Sequence, residues 1–87
     1  MLYELHVEIT LKPTVMDAQG TTIERALHKM GHANVSNVRI GKFVTMEIDA
    51  EHAAAARAVA ETMCTELLAN PIIEQFHVVV VEKESVA

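Results

Sequence analysis

The chain has 87 residues, 51% of them hydrophobic and only 3% aromatic, so it can fill one small domain, residues 1–87, around an aliphatic core. Its net charge is −5, with seven Lys and Arg scattered among twelve Asp and Glu, which excludes the basic clustering that nucleic acid or an anionic membrane surface requires. A single cysteine excludes an internal disulfide and no apolar run reaches spanning length, so the expected setting is the cytoplasm, with no nucleic-acid and no membrane partner.

Tyr3, Leu5, Val7, Ile9 and Leu11 alternate with Glu4, His6, Glu8, Thr10 and Lys12, the period-2 pattern of a half-buried strand. Pro13 has no N–H for a ladder and holds Lys12 extended, so the strand stops there. Met16, Gly20, Ile23, Ala26, Leu27 and Met30 then recur at helical spacing and predict a helix from about Asp17 to Met30, closed by a left-handed Gly31. Asp17 is one candidate N-cap; Thr21 with Glu24 is a rival capping box one turn later. Thr21, Glu24, Arg25, His28 and Lys29 read as a solvated face.

Residues 35–49 read as extended. A three-residue loop Gly41-Lys42-Phe43, or a glycine bulge, would align Val38, Ile40, Val44, Met46 and Ile48 on one face, and a single long bent strand is the alternative. Asp49 is the expected cap of a second helix that runs to about Ala69 and stops at Asn70-Pro71. Its stripe is Ala56, Val59, Ala60, Met63, Cys64, Leu67 and Leu68. The last strand, Phe76 to Glu82, is apolar on both faces through Val78–Val81. Helices cover one face of such a sheet, so His77, Val79 and Val81 are expected to meet another copy of the chain. Residues 82–87 read as a polar tail. The order strand, helix, strand pair, helix, strand predicts an α+β domain. Its antiparallel sheet would have three or four strands and two helices on one face, as in ferredoxin-like arrangements.

No catalytic constellation emerges. Cys64 sits late in a helix on its apolar side, as a buried structural thiol does, and not at the helix N-terminus or glycine-flanked elbow where nucleophiles are activated. Of the five histidines only His28 and His32 stand four apart, and Gly31 is expected to end the helix between them; Gly20, Gly31 and Gly41 are isolated, unlike a phosphate loop. His6 and His77, with Glu4 and Glu8, would adjoin if the end strands are neighbours, but surface or interface roles suit them better than a metal. The residues thus suggest a small, non-catalytic module that associates. The alternatives are a ferredoxin-like ligand-sensing module, or a small oligomeric isomerase or monooxygenase using His6 or His28.

Several stretches carry a family resemblance: Leu11-Lys12-Pro13, Asp17-Ala18-Gln19-Gly20, Ala26-Leu27-His28, Asn37 to Phe43, and Leu67 to Glu74. Together they resemble PurS, the small subunit of phosphoribosylformylglycinamidine synthase, over Tyr3 to Val81. Thr14 and Ala18 depart from the family's usual glycine and proline. The resemblance implies a non-catalytic homodimer or tetramer that bridges a PurQ-type glutaminase and a PurL-type synthetase in purine biosynthesis and assists ammonia transfer. It implies no cofactor on this chain, with ATP and magnesium used by the synthetase. Pro13, Asp17, Gln19, Gly20, Arg39, Gly41, Lys42, Asn70 and Pro71 match the family pattern and are the candidate partner surface, with no catalytic residue among them.

Overall fold

The structure, a computed structural model, describes residues 1–83; the expected polar tail lies largely outside them. The chain runs β1 (Leu2–Leu11), α1 (Ala18–Lys29), β2 (Gly41–Asp49), α2 (Ala53–Met63) and β3 (Glu74–Glu82), with one π-helical turn, Cys64–Leu68, continuing α2. The alternating strand is β1, and it occupies the centre of an antiparallel sheet of order β2-β1-β3. Its apolar row points one way, and Leu5, Val7 and Ile9 are at most 1% exposed. Burying each such side chain contributes about 1.5–3 kcal/mol. Val44, Met46 and Ile48 of β2 lie opposite Val7, Leu5 and Tyr3, while Val78 and Val80 of β3 lie opposite Val7 and Leu5. Cross-strand partners share a face, so these residues extend the same apolar surface.

Helix α2 covers part of that surface, packing on β3 and β1. It comes close because the residues it turns inward are small: Ala56, Ala60 and Cys64 are fully buried. Its expected α-helical run to Ala69 is corrected by the π turn, in which the Ala69 N–H donates to the Cys64 carbonyl at 2.9 Å. The inward row therefore steps by four, four and then five residues, ending on buried Ala69, and Leu67 is turned out to 83% exposure. The expected Asp49 cap is also corrected. Asp49 remains in β2 and accepts from the Met1 amine at 3.1 Å, and His52 Nδ1 caps α2 by accepting from the Ala55 N–H at 3.1 Å.

Two further expectations change. The sheet has three strands, within the expected three or four, but the expected turn at Gly41 is not formed: residues 35–40 form no strand and Gly41 opens β2. Gly41 pairs with Thr10, and a Cβ there would stand 2.6 Å from the Ile9 carbonyl oxygen, so its lack of a side chain permits close strand approach and not a turn. The expected pair of helices on one face is not formed either. Helix α1 instead stands away from the sheet, with Met16 80% and Met30 71% exposed. The Cα radius of gyration is 16.8 Å, against about 12 Å for a compact chain of this length.

Candidate functional site

The strand register brings the ends of all three strands together: Thr10 faces Gly41 and Leu11 faces Glu74. Seven of the nine candidate partner residues lie at or beside this end: Pro13, Asp17, Arg39, Gly41, Lys42, Asn70 and Pro71. Lys12 ties the end together. Its N–H donates to the Ile73 carbonyl at 2.8 Å, its Nζ to the Pro71 carbonyl at 2.9 Å, and its own carbonyl accepts from the Val15 N–H at 2.9 Å. The exposed Arg39 guanidinium donates to the Lys12 and Val15 carbonyls at 3.1 and 2.9 Å, clamping the β1–α1 turn. Lys42 Nζ lies 3.7 Å from Glu74 Oε2. Asn70 Oδ1 accepts from the Ile72 N–H at 3.1 Å, and its backbone N–H donates to Glu74 Oε1 at 2.7 Å. Pro13 and Gln19 are exposed.

Asp17 is buried and caps α1. One carboxylate oxygen accepts from the Gly20 N–H and the other from the Ile40 N–H, each at 2.7 Å. The Ile40 and Gly20 bonds, with help from the Arg39 charge, hold its carboxyl below the usual aspartate range even though burial pushes it up. Glu24, the rival capping residue, accepts from the Val38 N–H at 3.1 Å instead. His28 Nε2 lies 2.7 Å from the Val35 carbonyl oxygen. A Cβ on Gly20 would lie 2.2 Å from the Val38 carbonyl oxygen. Gly20, Glu24 and His28, four residues apart, thus line a seat for segment 35–40, whereas Glu24 and His28 were expected to face solvent. Sequence reasoning missed this use because a charged residue on a helix looks the same whether it meets water or backbone.

The second surface is the sheet face opposite α2. The register puts Val81, Val79 and His77 of β3 opposite Glu4, His6 and Glu8, and Phe43 of β2 opposite Glu8. Among the described residues nothing covers them: Val79 is 39%, Val81 41% and Phe43 61% exposed. Phe43 stands edge-on to His6, with ring centroids 5.7 Å apart, and His6 Nε2 is 3.0 Å from Glu4 Oε1. Sequence reading assigned Phe43 to a loop; its place one step off the Val44-Met46-Ile48 row was the available signal for the open face. Among the described residues no three His, Cys, Asp or Glu gather as a metal site. Cys64 is buried, which raises its thiol pKa, with Glu61 adding to the rise, the opposite of activation. A shallow depression on the outer side of α2 is lined by Ala58, Glu61, Thr62, Thr65 and Glu66, without a nucleophile or a cation.

A thin α+β domain with one bare sheet face, one undocked helix and a tied cluster of strand ends is a subunit type: it offers surfaces where an enzyme offers a pocket. The PurS family, described as phosphoribosylformylglycinamidine (FGAM) synthase, matches residues 4–82. The phosphoribosylformylglycinamidine synthase subunit PurS of Bacillus subtilis is 39% identical over 86% of this chain and 88% of its own length. Its counterpart from Synechocystis is 39% identical over 85% of this chain and 74% of its own length. A chain from the structure of PurLQS from Thermotoga maritima superposes with a TM-score of 0.86 at 31% identity, covering 93% of this chain and 99% of that one. The chain belongs to the PurS family. PurS is a subunit of FGAM synthase and not a complete enzyme on its own.

Proposed function

We propose that the chain, residues 1–87 acting as a single domain, is the non-catalytic structural subunit of a cytoplasmic FGAM synthase. It associates with itself and bridges a PurL-type synthetase and a PurQ-type glutaminase. The carrying observation is the extent of the family match, which spans residues 4–82. The synthetase partner supplies the ATP and magnesium chemistry, and the glutaminase supplies ammonia. The small subunit's part is to hold the two so that ammonia passes without protonation or loss to water, which a water-excluding interface provides. The strand-end cluster around Lys12 and Arg39, with Gln19 and Pro13 exposed beside it, is the surface assigned to the larger subunits. The row His77, Val79 and Val81 is assigned to self-association.

The test is FGAM formation from purified synthetase and glutaminase, with and without this chain, using glutamine or ammonium chloride as nitrogen source. Adding the chain raises the glutamine-dependent rate at least about tenfold and leaves the ammonium-dependent rate nearly unchanged. Equal glutamine-dependent rates with and without the chain overturn the reading.

A further inference from the structure

The valine row on the bare face of the sheet cannot be covered by itself. Val81, Val79 and His77 of β3 lie directly opposite Glu4, His6 and Glu8 of β1, and cross-strand partners share a face. On the other side of β1, Glu47, Thr45 and Phe43 of β2 lie opposite the same three residues. Whatever buries Val79 and Val81, 39% and 41% exposed, therefore also takes water from a band of ionisable side chains along the middle of the sheet.

That band holds three carboxylates, Glu4, Glu8 and Glu47, and one lysine, Lys83, among the described residues. Glu4 and Glu47 are direct cross-strand partners, an unfavourable pairing of like charges. Lys83 relieves it by reaching across β1 to bond Glu47. Glu4 and Glu8 are left with the imidazoles: His6 Nε2 lies 3.0 Å from Glu4 Oε1, and His77 stands opposite Glu8. With neutral histidines the band carries a net charge of −2, whereas with both protonated each carboxylate has a cation of its own and the net charge is zero. Histidine is the side chain that ordinarily makes this change between roughly pH 8 and pH 5.

The occupant that these charges fit is a second copy of the chain, because a neutral face does not repel its own image and an acidic one does. Resting on the self-association proposed above, we propose that His6 and His77 control it by proton uptake: two copies stack through this face when the imidazoles are charged and separate when they are neutral. Neutral imidazoles leave Glu4 and Glu8 of both copies to be buried without a counter-charge, which opposes contact. The stacked state thus binds more protons than the free chain, so association tightens as pH falls and is lost as pH rises. The remaining histidines lie off this face: His28 in the last turn of α1, His32 just beyond it and His52 at the cap of α2.

The test is sedimentation velocity of the full chain at about pH 8, 7 and 6 and constant ionic strength, for the wild type, the double variant His6→Gln/His77→Gln, and the single variants Glu8→Gln and Val79→Lys. The wild-type association constant rises at least about tenfold from pH 8 to pH 6. The double variant carries uncharged amides at both places and loses most of that rise, staying near the wild-type value at pH 8. Glu8→Gln removes a carboxylate and tightens association at pH 8, a gain that misfolding would not produce. Association that Val79→Lys weakens but that stays flat from pH 8 to pH 6, or a rise that survives in the double variant, overturns the proton control and spares the self-association. No association at any pH, or association that Val79→Lys leaves unaltered, overturns both.

Discussion

Asp17 joins two parts of the chain that are 23 residues apart, because its two carboxylate oxygens serve the first turn of α1 and the N–H of Ile40. Both bonds favour the ionised form, so its native pKa lies below the ordinary value near 3.8. A lowered native pKa gives stability that is fully present above 3.8 and is lost as pH falls through the native value. In thermal melts, Asp17→Asn is therefore less stable than the parent at pH 6. The gap narrows as pH drops from about 4 toward 2, because protonated Asp17 has also lost half its acceptor capacity. A constant gap across that range contradicts the role given to the carboxylate. The sequence offered two caps, Asp17 before the helical period and Thr21 with Glu24 one turn later, and the structure uses Asp17. The Ile40 bond was not legible there, since no local pattern reports which distant N–H a side-chain oxygen will meet.

At the scale of elements, β1, α1 and the left-handed Gly31, at φ 100°, follow from alternation, helical period and cap chemistry, with the start of α1 left between Asp17 and Thr21. The failures sit where a tertiary contact overrides a local signal. Gly41 suggested a turn, but the strand needed its missing side chain for close approach to Ile9. Leu67 fitted the α-helical stripe until the π turn at Cys64 advanced the register by one residue. Gly20 gives a quantitative test. Alanine is worth about 1 kcal/mol more than glycine inside a helix, so propensity alone predicts that Gly20→Ala stabilises. A Cβ 2.2 Å from the Val38 carbonyl oxygen forces segment 35–40 off its seat, at about 1–3 kcal/mol for overpacking beyond the hydrogen bonds lost. The clash wins, and the melting temperature falls by roughly 4–8 °C for each kcal/mol of net loss. An unchanged or higher melting temperature refutes the close approach.

Across the whole molecule, the principal extents are 51 × 32 × 15 Å, and the thinnest allows one sheet and one helix layer with no covering on the far side. That bare side carries the valine row, and replacing Val79, 39% exposed, with Lys leaves the isolated fold intact while adding a charge. Sedimentation velocity should show higher-order association weakened at least about tenfold by Val79→Lys, with the melting temperature of the dilute chain within a few degrees of wild type. Unaltered association removes this face from the assembly. The apolar character of both faces of β3 was legible in the sequence. The undocked α1 was not, because an apolar stripe does not say whose sheet it covers. The sheet order has a further bearing on how the chain comes together. Strands β2 and β3 never touch, and each pairs only with β1, so β1 is made well before either neighbour and must wait for both. Its pairing with β3 joins Leu11 to Glu74 and Tyr3 to Glu82, so a long stretch of chain must close before the central strand is zipped on its second side. Until then Leu5, Val7 and Ile9 have no permanent shelter, and during synthesis this earliest strand is the one most in need of protection from other nascent chains.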